Sequence, residues 1–572
     1  MKSPVNSLCL LCVLCGSSLC FSLDREAFSI TNYDLNLQIE PEQHRLGARG
    51  KVTLRNESAT PQKIAVLQIS SSLDWRSIKA GDKAVQFVRQ PYTSDIDHTG
   101  SLSEAIVTLP QEIPPHATID LDIAYEGVIL LDATRLTRIG TPEDIARNSD
   151  WDRIDEDFTG LRGAGYVAWY PIMTDVANLS EADSLFEVLA SWRNRQKSSK
   201  THLKIAMQST GEPAPQILFG GVKCEPTAIE RSGIPGMVAA ECNTQALQLD
   251  GSSLLIARYS TTENPPFQVH FLPNHDAAAA KFADLAEKTA SLVQDWFGSP
   301  RERAKIADLP DPDAPPFESG ALLLTPLSTS NPNSASLAAT HQLTHASFLS
   351  FRPWIEEGLA HFSQVLYLEQ QKGRQAALDY MALHRSALTT AEAQTTSEVE
   401  KSRALVSTNN DQLYRSKAMC VWWMLRDMIG DAALKKAIAS YKPEQDDDPT
   451  YMPHLIAAQT QRDVSWFFDD WLYHDRGLPD FKVESAYVTS TPTKSSLLTV
   501  TIDNLGTAGA EVPVMINFAG GEITKRVELH VKNKITFRLE TPQTPQEIKV
   551  NDGSVPESDV SNNTYTIAPA KK

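Results

Sequence analysis

Two histidines four residues apart are the first feature of the sequence that suggests metal chemistry. His341 and His345 lie in "ATHQLTHASFLSFRPWIEEGLAHF", residues 339–362, and a helix through them would place both imidazoles on one face. Glu357 follows a proline-containing turn and opens the next predicted helix, so its carboxylate can turn back toward the pair. A catalytic zinc keeps three protein ligands, with nitrogen or oxygen at about 2.0–2.2 Å. The pattern therefore predicts a metal site of these three residues.

The residue after the first histidine is Gln342, whereas the H-E-x-x-H arrangement of zinc peptidases has a glutamate there. That glutamate accepts a proton during catalysis, and an amide cannot. General acid–base catalysis contributes about 10²–10⁴-fold, so the sequence predicts a slow peptidase at best unless another base acts. Glu318 and Glu356 are the candidate replacements, although consecutive helical residues such as Glu356 and Glu357 point about 100° apart. His361 is expected to pack or hydrogen-bond beside the site.

The elements that position these residues change type twice along the chain. From residue 32 to about 260, apolar and polar residues alternate in short runs such as "YDLNLQIE" and "ATIDLDIAYEG", which predicts an antiparallel β-sandwich or saddle. Past Pro266, "DAAAAKFADLAEKTASLVQDWFG" and the later segments have helical periodicity. After Gly477 the alternation returns, which predicts a small terminal β-sandwich. The chain is therefore expected to be β, then mostly α, then β.

Length and composition limit the class of protein. With 572 residues, 41% hydrophobic and 22% charged, the chain is expected to form two to four globular domains. Residues 1–22 resemble a secretion signal, with an apolar core too short to span a membrane, so the mature chain is expected to be exported, either secreted or periplasmic, with no transmembrane segment. The formal net charge of −18 and the absence of a basic stripe argue against a nucleic acid partner.

Three cysteines lie beyond the predicted signal. Cys224 and Cys242 can close a loop of moderate length in an oxidising compartment, but the sequence leaves open whether they form a disulfide. Cys420 lies in an apolar helical pattern and is expected to be a buried thiol.

Several segments resemble the aminopeptidase N family of zinc metallopeptidases, the gluzincins. "RPWIEEGLAHF" is similar to the W-L-N-E-G-F-A-x-Y signature that supplies the third zinc ligand in that family. "GKVTLRN", "AWYPIM", "WFGSP" and "RDVSWFFDDWLYHDRGLPDF" resemble further family segments in the same order. The chain is thus identified as a divergent member, with glutamine in place of the catalytic glutamate and only eleven residues, 346–356, between the second histidine and Glu357.

The resemblance implies a multidomain α+β fold. Residues 23–262 would form an N-terminal antiparallel β-saddle or sandwich, and residues 263–480 a mostly α-helical, thermolysin-like, gluzincin-type metallopeptidase domain. Residues 481–572 would form a C-terminal immunoglobulin-like β-sandwich, and residues 1–22 the signal peptide.

The resemblance also implies roles for the site residues. His341, His345 and Glu357 would bind one Zn²⁺ per chain. Glu318, in "FESGALLLTP", would hold the free α-amine of a peptide. Tyr414, in "LYRSKAMCVWWMLRDMIGD", would donate a hydrogen bond to the oxyanion, although one more residue than usual separates it from the helix core.

Three functional hypotheses remain open at this stage. The first is an exported zinc metallopeptidase-like protein that acts on peptide or protein N-termini with weakened or altered catalysis. The second is an inactive pseudoenzyme that binds a peptide or partner. The third makes the two β modules an adhesion or scaffold device, which nothing in the sequence specifically requires. Substrate preference, oligomeric state and natural partner are left undetermined.

Overall fold

The computed structural model describes residues 23–567 except 182–183, 210, 228–235, 245–251, 330, 395–403, 409, 475 and 492–494. The predicted signal peptide lies outside the described residues.

The amino-terminal part consists of β-sheets. Its strands are β1 (Phe28–Glu40), β2 (Arg45–Asn56), β3 (Gln62–Ser70), β4 (Leu73–Ala80), β5 (Lys83–Ala84), β6 (Gln86–Thr93), β7 (Ser101–Ile113), β8 (Thr118–Val128), β9 (Phe158–Leu161), β10 (Lys200–Gln208), β11 (Gln216–Phe219), β12 (Val222–Lys223), β13 (Glu225–Pro226), β14 (Met237–Thr244) and β15 (Leu254–Ala257). The large sheet has the order β13-β14-β10-β1-β2-β8-β4-β5, and the smaller ones β3-β7-β6 and β12-β11-β15-β9. Three short helices accompany them: α1 (Thr134–Arg138), α2 (Glu143–Ser149) and α3 (Ser184–Gln196).

Alternating side chains explain why these segments form sheets. In β1, Leu35, Leu37 and Ile39 are buried, while Asn36 and Gln38 between them are exposed. A strand places successive side chains on opposite faces, so this alternation buries one face against the core and leaves the other in solvent. Cys224 and Cys242, which the sequence left open, form a disulfide in this region.

A five-stranded sheet connects the amino-terminal part to the helices. Its strands are β16 (Ser260–Asn264), β17 (Phe267–Phe271), β18 (Ala304–Asp308), β19 (Phe317–Ser319) and β20 (Leu322–Thr325), in the order β16-β17-β18-β20-β19. β19 lies at the edge and pairs antiparallel with β20, which places Glu318 opposite Leu323. The division predicted at residues 262 and 263 falls inside β16. The domain boundaries stay a prediction.

Helices dominate the central part. They are α4 (Asp276–Phe297), α5 (Pro332–Ser347), α6 (Pro353–Lys372), α7 (Arg374–Gln394), α8 (Ala418–Ile429), α9 (Asp431–Ser440), α10 (Tyr451–Ala457) and α11 (Ser465–Phe468), with π-helices at Gln412–Lys417 and Asp469–Tyr473. α5 and α6 both begin at a proline, whose fixed φ suits the first helical position. The Asn331 side chain caps α5 by accepting a hydrogen bond from the backbone N–H of Asn333 at 2.9 Å. Among the described residues, no helix is both long and apolar enough to cross a membrane.

An aromatic contact fixes the beginning of α6. Trp354 and Trp422 are stacked, with ring centroids 5.1 Å apart, and both side chains are fully buried. The Trp422 indole N–H also donates to the backbone carbonyl of Trp354 at 3.2 Å. Burial of two large aromatic side chains is among the strongest stabilising contributions to a core. The contact therefore anchors the first turn of α6, directly before Glu357.

Gly358 follows Glu357 at the closest approach of α6 to α8. A Cβ there would lie 2.7 Å from Ala418 Cβ and 3.0 Å from Trp422 Nε1. We expect Gly358→Ala to lower the free energy of unfolding by about 1–3 kcal/mol through overpacking, despite the better helix propensity of alanine. Urea unfolding followed by tryptophan fluorescence measures this. Gln371→Ala, an exposed position on the same helix, should change stability by less than about 0.5 kcal/mol, and equal effects of the two variants would contradict the packing argument.

Two further sheets form the carboxyl-terminal part. The strands are β21 (Phe481–Ser490), β22 (Ser496–Asn504), β23 (Ala510–Phe518), β24 (Gly521–Leu529), β25 (Lys534–Thr541), β26 (Pro545–Val550) and β27 (Thr564–Thr566), in the orders β21-β22-β25 and β24-β23-β26-β27. Their buried residues share one hydrophobic cluster with the helices. The Trp471 indole N–H donates to the carbonyl of Gly509 at 2.7 Å, which ties the sandwich to the end of the helical part. The prediction of a multidomain protein with helices and several sheets is confirmed.

Candidate metal centre

Two imidazoles face each other on one side of α5. His341 and His345 are one turn apart, both are buried, and their Nε2 atoms are 3.0 Å apart. Burial first, and then His345, lower the pKa of His341 to about 3. Burial also opposes the charged form of His345, but a hydrogen bond with Glu356 and further carboxylates outweigh it and raise its pKa to about 9. Without metal, the protonated Nε2 of His345 therefore donates to the neutral Nε2 of His341.

Glu357 completes the group from near the start of α6. Its Oε2 is 3.7 Å from His341 Nε2, and its Oε1 is 3.8 Å from His345 Nε2. One ligand atom from each of the three residues lies within 4.8 Å of the others. Ligand atoms about 2.0–2.1 Å from a tetrahedral ion are about 3.3 Å apart. The imidazole nitrogens, at 3.0 Å, are close to this value, and each lies 3.7 or 3.8 Å from a different oxygen of Glu357, so the group could hold an ion. The three residues that the sequence selected are brought together in a geometry that fits a metal ion.

The connection between α5 and α6 accounts for the short spacing of the ligands. α5 ends at Ser347 and α6 begins at Pro353, so five residues, 348–352, join them. The ligands lie on the two helices and not on this connection. A shorter loop therefore still allows the three side chains to come together. Gln364, where a longer loop would have put the third ligand, hydrogen-bonds the carbonyl of Leu337 and the hydroxyl of Tyr380.

Glu356 supports His345 from the side away from the other ligands. Its Oε1 is 3.1 Å from His345 Nδ1, and its Oε2 accepts the backbone N–H of Ser350. A carboxylate on the second ring nitrogen fixes the orientation and tautomer of a metal-binding histidine. Burial raises the pKa of Glu356, and its hydrogen bond with His345 opposes that effect. Both carboxylate oxygens are thus engaged, so Glu356 is a poor replacement for the missing base.

Gln342 is fully buried within α5, and neither its amide oxygen nor its amide nitrogen has a hydrogen-bond partner among the described residues. Buried polar atoms without partners are rare because each costs about 1–3 kcal/mol. An amide held in this way can donate or accept a hydrogen bond, but it cannot take up a proton.

Glu318 reaches the site from the edge strand β19. Its Oε2 is 3.4 Å from His341 Nε2. Burial first, and then the negative charge of Glu357, raise the pKa of Glu318. The resemblance assigned this carboxylate to amine binding, and the structure places it beside the ligand group, where either amine binding or proton acceptance is geometrically available.

His361 lies one turn after Glu357 on α6. Its Nε2 is 4.0 Å from Glu357 Oε2, and its ring centroid is 4.9 Å from that of His341. Neither ring nitrogen has a hydrogen-bond partner among the described residues. Burial first, and then His341, lower the pKa of His361 to about 3, so the ring is neutral at pH 7. Of the two alternatives that the sequence left for His361, packing or hydrogen bonding beside the site, the structure shows the packing.

The π-helix Gln412–Lys417 carries Tyr414 and Arg415. Tyr414 is partly buried against the helical core, burial raises its pKa to about 12, and no hydrogen bond of its hydroxyl is found within the described part of the chain. Arg415, which the sequence did not single out, places Nε 3.4 Å from Glu357 Oε2. Burial alone would raise the pKa of Glu357, but Arg415 first and then the histidines hold it well below its usual range. The additional residue between Tyr414 and the helix core was the only sequence signal for the position of Arg415.

Comparison with known proteins supports the fold. No family model matches the chain, and no curated protein sequence is significantly similar to it. Solved structures of an M1 zinc metallopeptidase from Deinococcus radiodurans are similar, at 16% identity for the enzyme and 17% for a point mutant, each with a TM-score of 0.51. The same mutant bound to a Tyr-Ser-Ala substrate has a TM-score of 0.50 at 17% identity. Each comparison covers 80% of this chain and 97% of the other. The chain therefore has the mixed α/β, multidomain fold of M1 zinc metallopeptidases, the family of the resemblance.

Proposed function

We propose that this chain is an exported, zinc-binding, metallopeptidase-like protein of the aminopeptidase N family that acts on peptide N-termini with weakened or altered catalysis. The observation that carries the proposal is the group of His341, His345 and Glu357, whose ligand atoms surround a position suited to one ion. The shared fold supports the class of protein. Export, to the exterior or the periplasm, rests on the sequence of residues 1–22 alone.

The neighbouring residues support a peptide as the ligand. Glu318 is a carboxylate next to the metal position, where it can hold the α-ammonium group of a peptide. Tyr414, the donor to the scissile carbonyl oxygen that the resemblance implies, lies in the π-helix next to Arg415. Zinc bound at the three ligands would act as a Lewis acid and favour ionisation of water near neutral pH.

Proton transfer is the weak point of this site. Gln342 can orient a water molecule through its amide but cannot accept a proton from it. Both oxygens of Glu356 are engaged by His345 and Ser350. Glu318 remains as a candidate base, at the expense of its contact with the amine. These contacts also favour the second candidate, a peptide-binding pseudoenzyme that keeps the metal group without turnover.

Metal content tests the first part of the proposal. We expect the purified full chain to hold about one zinc ion, and His345→Ala to lose most of it because only two ligands remain. Elemental analysis after dialysis against chelator-treated buffer measures both. His384→Ala is the matched control, because this histidine hydrogen-bonds Ser416 at 3.0 Å outside the ligand group, and it should keep wild-type zinc content. Less than about half an equivalent in the wild type, unchanged in His345→Ala, contradicts the proposal.

A further inference from the structure

Arg415 is a cation beside the metal position that the proposed function leaves without a role. Its Nε is buried, donates no hydrogen bond to any described residue, and lies 3.4 Å from Glu357 Oε2. The side chain as a whole is 37% exposed, so the residue is not sealed inside the core. Glu357 first, followed by other groups that include Glu318, raises the pKa of Arg415. The guanidinium is therefore a permanent charge within the site.

The π-helix explains why Arg415 occupies this place. The i→i+5 hydrogen bonds of a π-helix accommodate one more residue per turn than an α-helix, and such turns are often found at functional sites. The sequence has one additional residue between Tyr414 and the helix core, and the π-helix Gln412–Lys417 accommodates it before α8 begins at Ala418. From this π-helix, Arg415 places its Nε 3.4 Å from Oε2 of the ligand Glu357.

Charge decides what Arg415 can bind once the site is loaded. In the metal-free site its positive charge is compensated by Glu357 at 3.4 Å. A divalent cation at the ligand group would take up the charge of Glu357, and the guanidinium could then pair with an anionic ligand in addition to the nearby carboxylate of Glu318. Arginine presents several N–H donors in a fixed fork that suits the paired oxygens of carboxylates, phosphates and phosphinates.

We propose that Arg415 is the anion-binding residue of the site and holds a negatively charged oxygen of a peptide-like ligand beside the metal. It takes the place that the resemblance assigned to the neutral hydroxyl of Tyr414. The ligand class is a peptide whose reacting carbonyl oxygen gains full negative charge, or a tetrahedral anionic analogue of it. This inference rests on the proposed function, because it requires a metal at His341, His345 and Glu357.

Isothermal titration of the zinc-loaded full chain tests the assignment with two probes: a phosphinic dipeptide analogue with a free amino terminus, and the neutral amide dipeptide of the same side chains. We expect the wild type to bind the phosphinate more tightly. Arg415→Gln should weaken phosphinate binding at least about tenfold, the effect of losing a charge-assisted hydrogen bond, and change amide binding by less than about threefold. Arg415→Lys keeps the charge but not the fork, so its phosphinate affinity should lie between those of the wild type and Arg415→Gln.

Arg476→Gln is the matched control. This arginine is 42% exposed and pairs with Asp469 at 2.7 Å, away from the metal group, so both probe affinities should match the wild type. Zinc content and circular dichroism are measured for every variant. If Arg415→Gln does not fold, the comparison of Arg415→Lys with the wild type decides. Equal phosphinate affinity in the arginine variants and the wild type overturns the proposal, as does a larger loss in Tyr414→Phe.

The outcomes separate this inference from the proposed function. Absence of phosphinate binding by the zinc-loaded wild type overturns the role of Arg415 even if peptides are hydrolysed. Phosphinate binding that depends on Arg415, in a protein that never releases product, keeps the inference and removes the hydrolytic part of the proposed function.

Discussion

Gln342→Glu is expected to raise the turnover of aminoacyl p-nitroanilides by about 10²–10⁴-fold over the wild type, the range that a positioned general base contributes. Glutamate has nearly the shape of glutamine, so it fits the buried position in α5 and adds a group that can accept a proton. Release of the chromophore, measured with equal zinc content in both proteins, gives the ratio directly. Turnover should also be abolished by a chelator.

The electrostatic setting of position 342 allows this gain. A new carboxylate would be fully buried next to the ligand His341, and burial raises the pKa of a carboxyl group. A bound divalent cation and Arg415 oppose that effect. A base whose pKa lies near the working pH is the most effective one, so an intermediate value favours activity.

Two controls accompany this variant. Gln342→Asn introduces no ionisable group and should show no gain, and Gln342→Glu combined with His345→Ala should be inactive because the metal group is broken. If Gln342→Glu keeps full zinc content but gains nothing, more than the base has been lost and the pseudoenzyme hypothesis is favoured. If the wild type alone shows strong, chelator-sensitive turnover, another residue supplies the base, and Glu318, 3.4 Å from His341 Nε2, is the first to test.

The ligand group shows what the sequence can predict. The grouping of His341, His345 and Glu357 follows from side-chain type and helix geometry, since residues four apart share a face and a glutamate near the start of the next helix can point back at them. The "WIEEG" motif selected Glu357 over a count of residues, and the structure places its carboxylate 3.7 and 3.8 Å from the two imidazoles, while its role as a ligand stays a prediction. The alternation in β1 and the helical periodicity in α4 are likewise local patterns, which are visible in the sequence itself.

Arg415 and Glu356 show where sequence reasoning stops. Arg415 contacts Glu357 from a π-helix, and the sequence signalled neither the π-helix nor the contact beyond one additional residue after Tyr414. The engagement of Glu356 requires the position of the Ser350 backbone N–H, a tertiary feature without a sequence signature. Sequence reasoning also did not find the limits of the sheets, because β16 pairs with β17 across the division that the change of periodicity suggested.

Zinc affinity is expected to rise about tenfold per pH unit between pH 6 and 8, or about 100-fold over this range. Without metal, the His345–His341 pair holds one proton, because the hydrogen bond with Glu356 helps raise the pKa of His345 to about 9. A metal ligand must be deprotonated, so binding below pH 9 releases that proton and is weakened as the pH falls. The pKa of His341, lowered to about 3, adds no proton in this range. Competition with a chelator of known zinc affinity at each pH measures the slope.

Glu356→Gln tests whether the hydrogen bond between Glu356 and His345 causes the pH dependence of zinc affinity. Loss of its negative charge lowers the pKa of His345, so the dependence on pH between 7 and 9 should flatten, while the affinity at pH 9 falls about 10–100-fold through the loss of an orienting carboxylate. Calorimetry in two buffers with different ionisation enthalpies should show release of about one proton by the wild type at pH 7 and less by the variant. A pH-independent affinity in the wild type would mean that His345 is already neutral in the metal-free chain, and that Glu356 orients this ligand without charging it.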